Sequence, residues 1–255
     1  MKPRHLARRQ LLKAAAGAAG LVALSGCDNL SRSDWVRNLL GRTEAMTEWV
    51  QRALTPRNAL AKEYPESEIS AVFPSNGTRD PGTQEYIELA QHDFARWRVT
   101  IGGQVAKPLE LSLATLKEMP SRTQITRHDC VEGWSAIGKW TGVPLGDLMH
   151  RVEPLPAARY AVFYCADIDE QGAAYYESMS LEDLYHPQTI LAYELNGKPL
   201  DVPHGAPLRL RFERQLGYKH AKYVMSIELV DSLAGIGGGK GGYWEDQGYE
   251  WYAGI

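Results

Sequence analysis

The apolar residues of this chain come in short blocks, and that spacing limits what it can fold into. Tyr160–Ala166, Ile190–Leu195 and Leu208–Phe212 are runs of five to seven mostly apolar residues, the length of strands rather than helices. Val224–Val230 alternates and reads as a half-buried strand, and Thr123–Arg127 as another. Phe94–Val105 reads as a hairpin around Gly102-Gly103, and Asn196-Gly197 as a tight turn. Short helices fall between them: Leu113–Lys117 after Ser112 as N-cap, Leu145–Arg151, and Leu181–Tyr185 after Ser180. The expectation is an α+β fold richer in strands than helices. There is no βαβ repeat, no Gly-x-Gly-x-x-Gly and no P-loop, so nothing points to a nicotinamide, flavin or nucleotide site.

Residues 1–26 read as an address. Lys2, Arg4, Arg8, Arg9 and Lys13 give a basic start, and Leu11–Leu24 is apolar but too short for a stable membrane span. Arg8-Arg9-Gln10-Leu11-Leu12-Lys13 resembles the twin-arginine signal, which implies the twin-arginine export machinery as a partner. Leu24-Ser25-Gly26-Cys27 resembles a bacterial lipobox, which implies lipidation of Cys27 and anchoring on the periplasmic side of the inner membrane. Without the lipid the product is soluble in the periplasm. The leader holds five of the chain's positive charges and no acidic residue, so the formal −3 of the whole becomes −8 for the remainder. A mildly acidic body argues against nucleic acid as a partner. Residues 27–69 read as an N-terminal helix, with Trp35, Leu39, Leu40, Met46, Trp49, Val50 and Leu54 at helical spacing, followed by a linker.

The most informative segment surrounds Cys130: Arg127-His128-Asp129-Cys130-Val131-Glu132-Gly133-Trp134-Ser135, then Gly138-Lys139-Trp140-Thr141-Gly142-Val143-Pro144-Leu145. A cysteine among Gly, Trp, Ser and charged residues suits a loop lining a site better than a core strand. A thiolate is a soft, strongly donating metal ligand. A cysteine nucleophile is a competing reading, and it needs a base that the fold brings to Cys130.

This segment closely resembles the metal-ligand segment of the sulfite oxidase family of molybdenum enzymes. The resemblance covers about residues 70–230 and implies a single molybdopterin-binding domain of mixed sheets and short helices over 70–234. It implies Cys130 as catalytic residue and molybdenum ligand, and a Mo–molybdopterin cofactor without an added nucleotide. His204-Gly205-Ala206-Pro207-Leu208-Arg209 resembles a pterin-binding segment and implies His204 and Arg209. Leu216–Tyr223 resembles the loop near the cofactor's phosphate and implies His220, Ala221 and Lys222. Val72–Thr78 resembles a loop closing over the pterin and implies Ser75 and Asn76. This loop departs from the pattern: Ser75 stands where sulfite-oxidising relatives carry arginine, and Pro74-Ser75 replaces the Tyr-Glu pair of the methionine sulfoxide reductase branch. Cys165 falls where that branch has a cofactor-contacting threonine.

The resemblance implies an exported oxidoreductase that moves an oxygen atom and two electrons between water and a small-molecule substrate, with sulfoxide or other S-/N-oxide reduction as the direction. With no Cys-x-x-Cys-His haem site, a cytochrome or haem-containing membrane protein is the expected electron partner. The family's dimerisation domain needs ~100 residues, more than follow the core, so a monomer is expected. The alternatives are a sulfite-oxidising enzyme and an exported lipoprotein binding module without catalytic metal. The tail, 235–255, joins Gly235–Gly242 to Tyr243, Trp244, Tyr249, Trp251 and Tyr252, and is expected to cover part of the cleft or meet a partner.

Overall fold

The computed structural model describes residue 33 and residues 46–255 apart from 57 and 170. The leader, Cys27, Trp35, Leu39 and Leu40 lie outside the described residues. Two compact units are present, Met1–Leu54 and Thr55–Ile255. In the first, residues 46–54 are helical and expose Met46, Trp49, Val50 and Leu54.

The second unit is built on two five-stranded sheets. One runs β2 (Leu109–Ser112), β1 (Arg98–Gly103), β10 (Val224–Val230), β5 (Tyr160–Ile168), β6 (Ala174–Ser180). The other runs β3 (Arg122–Asp129), β4 (Ser135–Pro144), β7 (Thr189–Leu195), β8 (Lys198–Pro199), with β9 (Arg209–Phe212) also paired to β7. Only β1 and β10 pair in parallel, which makes the first sheet mixed. Five short helices join them: α1 (Gln84–Gln91), α2 (Leu113–Glu118), α3 (Leu145–Val152), α4 (Leu181–Leu184) and α5 (Tyr243–Asp246). The α+β, strand-rich, single-domain expectation holds.

Local chemistry explains the element ends. Ser112 accepts the Thr115 N–H at 3.0 Å and Ser180 that of Asp183 at 3.3 Å, each satisfying an otherwise orphaned helix donor. Leu145, Leu148, Met149 and Val152 recur at i, i+3, i+4 and i+7, so α3 buries one full stripe. Asn196 and Gly197 both adopt positive φ and turn β7 into β8, as their sequence predicts.

Two expectations change. The hairpin does not turn at Gly102-Gly103; both glycines lie in β1, and residues 104–108 make the loop to β2. The segment after Cys130 is not loop throughout. Ser135–Pro144 forms β4, with Ala136, Gly138, Trp140 and Gly142 on the buried side. Interleaved Gly, Lys and Thr hide that alternation in the sequence. The strand β6 and helix α1 also carry no clear sequence signal.

The main core lies where the two sheets and α3 meet, with Val99, Ile101, Phe163, Ile227, Leu191 and Leu210 among its members. A second cluster, Phe73, Ala136, Trp140, Ile190, Ala192, Leu200 and Ala206, covers the other face of the second sheet. Strand alternation therefore sends Leu210 and Phe212 into the main core and turns Arg209 and Arg211 to the opposite face, over the Trp140 ring at 5.1 and 4.3 Å. That face carries the candidate site.

Gly142 packs directly on β7: a Cβ there would lie 2.2 Å from Leu191 O and 2.6 Å from Ala192 Cα. Gly142→Ala is expected to cost about 2 kcal/mol or more in urea unfolding. Gly146→Ala, whose Cβ would meet Tyr185 Cα at an ordinary 3.5 Å in α3, is expected to be neutral or stabilising by up to ~1 kcal/mol.

Candidate active site

A tight turn presents Cys130 at the β3–β4 junction. Its N–H donates to Trp134 O at 2.9 Å, and Gly133, at φ +90°, donates to Cys130 O at 3.1 Å. Only glycine adopts that backbone without strain. Cys130 is half-buried, and burial pushes its thiol up despite the Glu132 N–H that donates to it. A raised thiol is a poor free nucleophile. His128 offers it no base, because Arg211 donates to His128 Nδ1 at 2.9 Å, and burial and neighbouring cations hold His128 well below the usual imidazole range. The cysteine-nucleophile reading therefore finds no base in His128.

Cys130 lines a cavity of about 300 Å³. Its walls come from five other places: the 76–78 loop, the end of β5 with Asp167 to Asp169, Ala173 and Tyr175 at the start of β6, the 218–222 loop, and the C-terminal residues Tyr243, Trp244 and Tyr249. Glu132 joins two of these walls. It accepts the Gly77 N–H and the Trp134 indole N–H, each at 3.0 Å, which holds its carboxyl below the usual range.

The electrostatics behind this cavity are unusual. Arg209 is wholly buried and donates to His204 O at 3.1 Å and Asn76 Oδ1 at 3.3 Å. Lys222 is buried and donates to the carbonyls of Asn76 at 2.7 Å, Pro203 at 3.0 Å and Thr78. None of these acceptors is charged. Burial, then repulsion from Arg211, pushes Arg209 down to about 9. Burial, then repulsion from Arg209, pushes Lys222 down to about 7. Elsewhere the chain pairs its buried cations: Arg211 forks onto Glu213 at 2.9 and 2.6 Å, and Lys219 bridges Glu177 and Glu245 at 2.5 Å each. Burying an ion without an opposite charge costs several kcal/mol. Arg209 and Lys222 thus form a preformed receptor for an anion.

Two further groups on the cavity wall are unsatisfied. Asp167 Oδ1 and His220 Nδ1 are buried without a hydrogen-bond partner. Burial raises Asp167 to about 6, and burial plus Arg211 and Arg209 keep His220 well below the imidazole range. His220 Nε2 donates to Gln215 O at 3.1 Å, which leaves Nδ1 as an acceptor. Its neighbour turn is equally tight: a Cβ on Gly217 would sit 2.4 Å from His128 Nε2.

Of the residues singled out in the sequence, Asn76, Cys130, His220 and Lys222 meet on this cavity wall. Arg209 stands behind Asn76. Ser75 and Ala221 bind backbone instead: the Ser75 hydroxyl donates to Pro203 O at 2.6 Å, and the Ala221 carbonyl accepts from Leu210 N at 2.8 Å. His204 has both ring nitrogens engaged, with Asp201 Oδ1 at 2.5 Å and Phe73 O at 2.9 Å. Cys165 points into the main core beside Phe163, because strand parity puts both on that face. Sequence reasoning missed Thr78, Tyr175 and Asp167. Asp167 shares the face of Phe163 and Cys165 at the strand's end, and that parity was the signal available for it.

Comparison with known proteins shows the family of the chain. Residues 86–234 match the family described as "Oxidoreductase molybdopterin binding domain". A putative protein-methionine-sulfoxide reductase subunit YedZ1 of Azospira oryzae is 38% identical over 97% of this chain and 88% of its own length. The protein-methionine-sulfoxide reductase catalytic subunit MsrP of Ralstonia nicotianae is 32% identical over 90% of this chain and 71% of its own. That of Xanthomonas axonopodis pv. citri is 39% identical over 54% of this chain and 46% of its own.

Proposed function

This chain belongs to the family of molybdopterin-binding oxidoreductases, and from that premise we propose that it reduces methyl sulfoxides, methionine sulfoxide foremost, at a molybdenum–molybdopterin centre ligated by Cys130. The chain is an oxidoreductase with the sulfite oxidase-like molybdopterin fold. The observation that carries the finer reading is the cavity that brings Cys130 together with buried Lys222, with buried Arg209 behind Asn76, neither cation hydrogen-bonded to a carboxylate. Such a site suits a group bearing a phosphate, sulfur donors and many hydrogen-bonding edges. The orphaned Asp167 Oδ1 and His220 Nδ1 fit those edges. A cavity of about 300 Å³ is in keeping with a pterin without an added nucleotide. The direction of reaction is supported by the activity for which the relatives are named.

The residues divide the work. Lys222 and Arg209 neutralise the anion, Arg209 acting through Asn76. Asn76 and His220, both on the cavity wall, would contact the cofactor. Ser75, His204 and Ala221 fix the backbone that carries those contacts. Cys165 packs in the main core. When bound, the molybdenum–pterin group supplies two-electron oxygen-atom exchange. Sulfoxide reduction consumes two electrons and two protons and yields a thioether and water. Asp167, at about 6, can hold one such proton at its unpartnered oxygen. Electrons come from a separate cytochrome or haem-containing membrane protein. The leader and Cys27 support a site of action on the periplasmic side of the inner membrane, anchored by lipid. Among the described residues no helix is long and apolar enough to cross a membrane.

Protein exported in its native host is expected to hold about one molybdenum per chain by elemental analysis, and to oxidise a reduced viologen dye with N-acetylmethionine sulfoxide. Cys130→Ala should lose both metal and turnover. Retained metal and turnover in Cys130→Ala, or a metal-loaded enzyme that leaves sulfoxides untouched, contradicts the proposal. The pH profile tests Asp167. An acid of pKa about 6 is effective below that pH, so turnover should fall towards ten-fold per unit above it. Asp167→Asn should give a low, flat profile.

A further inference from the structure

We propose that the C-terminal aromatic strap is the substrate-recognition wall of this site, accepting a neutral methyl-sulfoxide side chain carried on an extended polypeptide. The inference rests on the sulfoxide reading above and deepens it. Tyr175, Tyr243, Trp244, Tyr249 and Tyr218 form a continuous belt. Successive ring centroids lie 5.6, 5.3, 5.3 and 5.2 Å apart. The Tyr175 hydroxyl donates to Tyr218 O at 2.7 Å and closes the circuit. All five line the same cavity as Cys130. Trp244 and Tyr249 are still 37% and 41% exposed, so they face both the cavity and bulk water and mark its mouth. Three of the five lie beyond residues 86–234, the stretch that matches the family domain.

The belt is a fixed collar. Glu245 of α5 shares Lys219 with Glu177 of β6, and all three are buried. Burial pushes the Glu177 carboxyl well above the usual carboxylate range, while Lys219 beside it pulls the other way. Asp246 accepts from the Tyr176 hydroxyl at 2.5 Å and from Gly238 and Lys240 N–H at 2.7 and 3.1 Å. The glycine run exists to make this close wrap: a Cβ on Gly242 would lie 2.0 Å from Glu245 Oε2.

The chemistry selects the guest. Aromatic faces attract sulfur and the partly positive methyl beside a sulfinyl group. The mouth adds a carboxylate, Asp169, which accepts from the Tyr243 hydroxyl at 2.9 Å, so a small inorganic anion is disfavoured there. Exposed Val131 and Ile168, at the cavity's edge, offer an apolar shoulder to residues flanking the sulfoxide.

The test is binding of a fluorescein-labelled peptide with one methionine sulfoxide to the molybdenum-loaded oxidised enzyme, read by anisotropy. Wild type should bind. Trp244→Ala and Tyr249→Ala should each weaken binding about ten-fold, and Trp244→Phe should restore most of it, with molybdenum content still one per chain. No binding by wild type, or unchanged affinity in both alanine variants, overturns the inference. Turnover of the same peptide is a separate readout: binding that depends on Trp244 without reduction keeps the recognition wall and removes the reductase reading.

Discussion

Two buried cations held only by uncharged oxygens are the constraint around which this site is organised. Arg209 and Lys222 lie within the folded unit, yet their hydrogen bonds go to carbonyl and amide oxygens of residues 76, 78, 203 and 204. Such bonds satisfy donors without cancelling charge. Burial depresses both, with repulsion from Arg211 adding at Arg209 and repulsion from Arg209 adding at Lys222, which falls to about 7. A bound anion would offset these charges. The cations also do structural work without it. Lys222 gathers the 76–78 loop and Pro203 around its ammonium, and Tyr223 adds a hydroxyl to Thr78 O at 2.9 Å. The loop over the cavity is therefore positioned by the same groups that demand the anion.

The second organising feature is the way the chain's end is fastened. The strap would be a solvated appendage by composition alone. It becomes a wall because Glu245 enters the core as the second carboxylate on Lys219, and because Trp251 donates to Ser178 Oγ at 2.8 Å and stacks over Lys219 at 5.5 Å. One lysine thus anchors the far side of the cleft while another, three residues later, charges its floor. The 217–222 segment joins both walls, and Gly217 lets it pass His128 closely enough to do so.

Much of this was legible in the sequence where the signal is local. The Ser112 and Ser180 caps, the Asn196-Gly197 turn and the Cys130 turn each depend on neighbours within five residues. Asn76, His220 and Lys222 were found by resemblance, and they meet on one wall. What was hidden depends on distant pairing. The alternation of β4 is masked by Gly138 and Gly142, which are glycines because Phe73 and β7 approach there. His204 looked like a free ligand, but Asp201 caps its turn and takes its Nδ1. The belt joins Tyr175 to residues almost seventy positions later, and no spacing rule reaches that far. Asp167 needed the strand's parity and its end to be known together.

The most direct measurement is the ionisation of Lys222 itself, by carbon-13 NMR of labelled lysine side chains in cofactor-free protein, assigned by loss of the signal in Lys222→Met. The account predicts a pKa near 7, rising when the cofactor is loaded or inorganic pyrophosphate is added. An ordinary lysine value near ~10.4 in the cofactor-free protein would contradict it, because the charge would then be compensated already and nothing in the cavity would call for an anion.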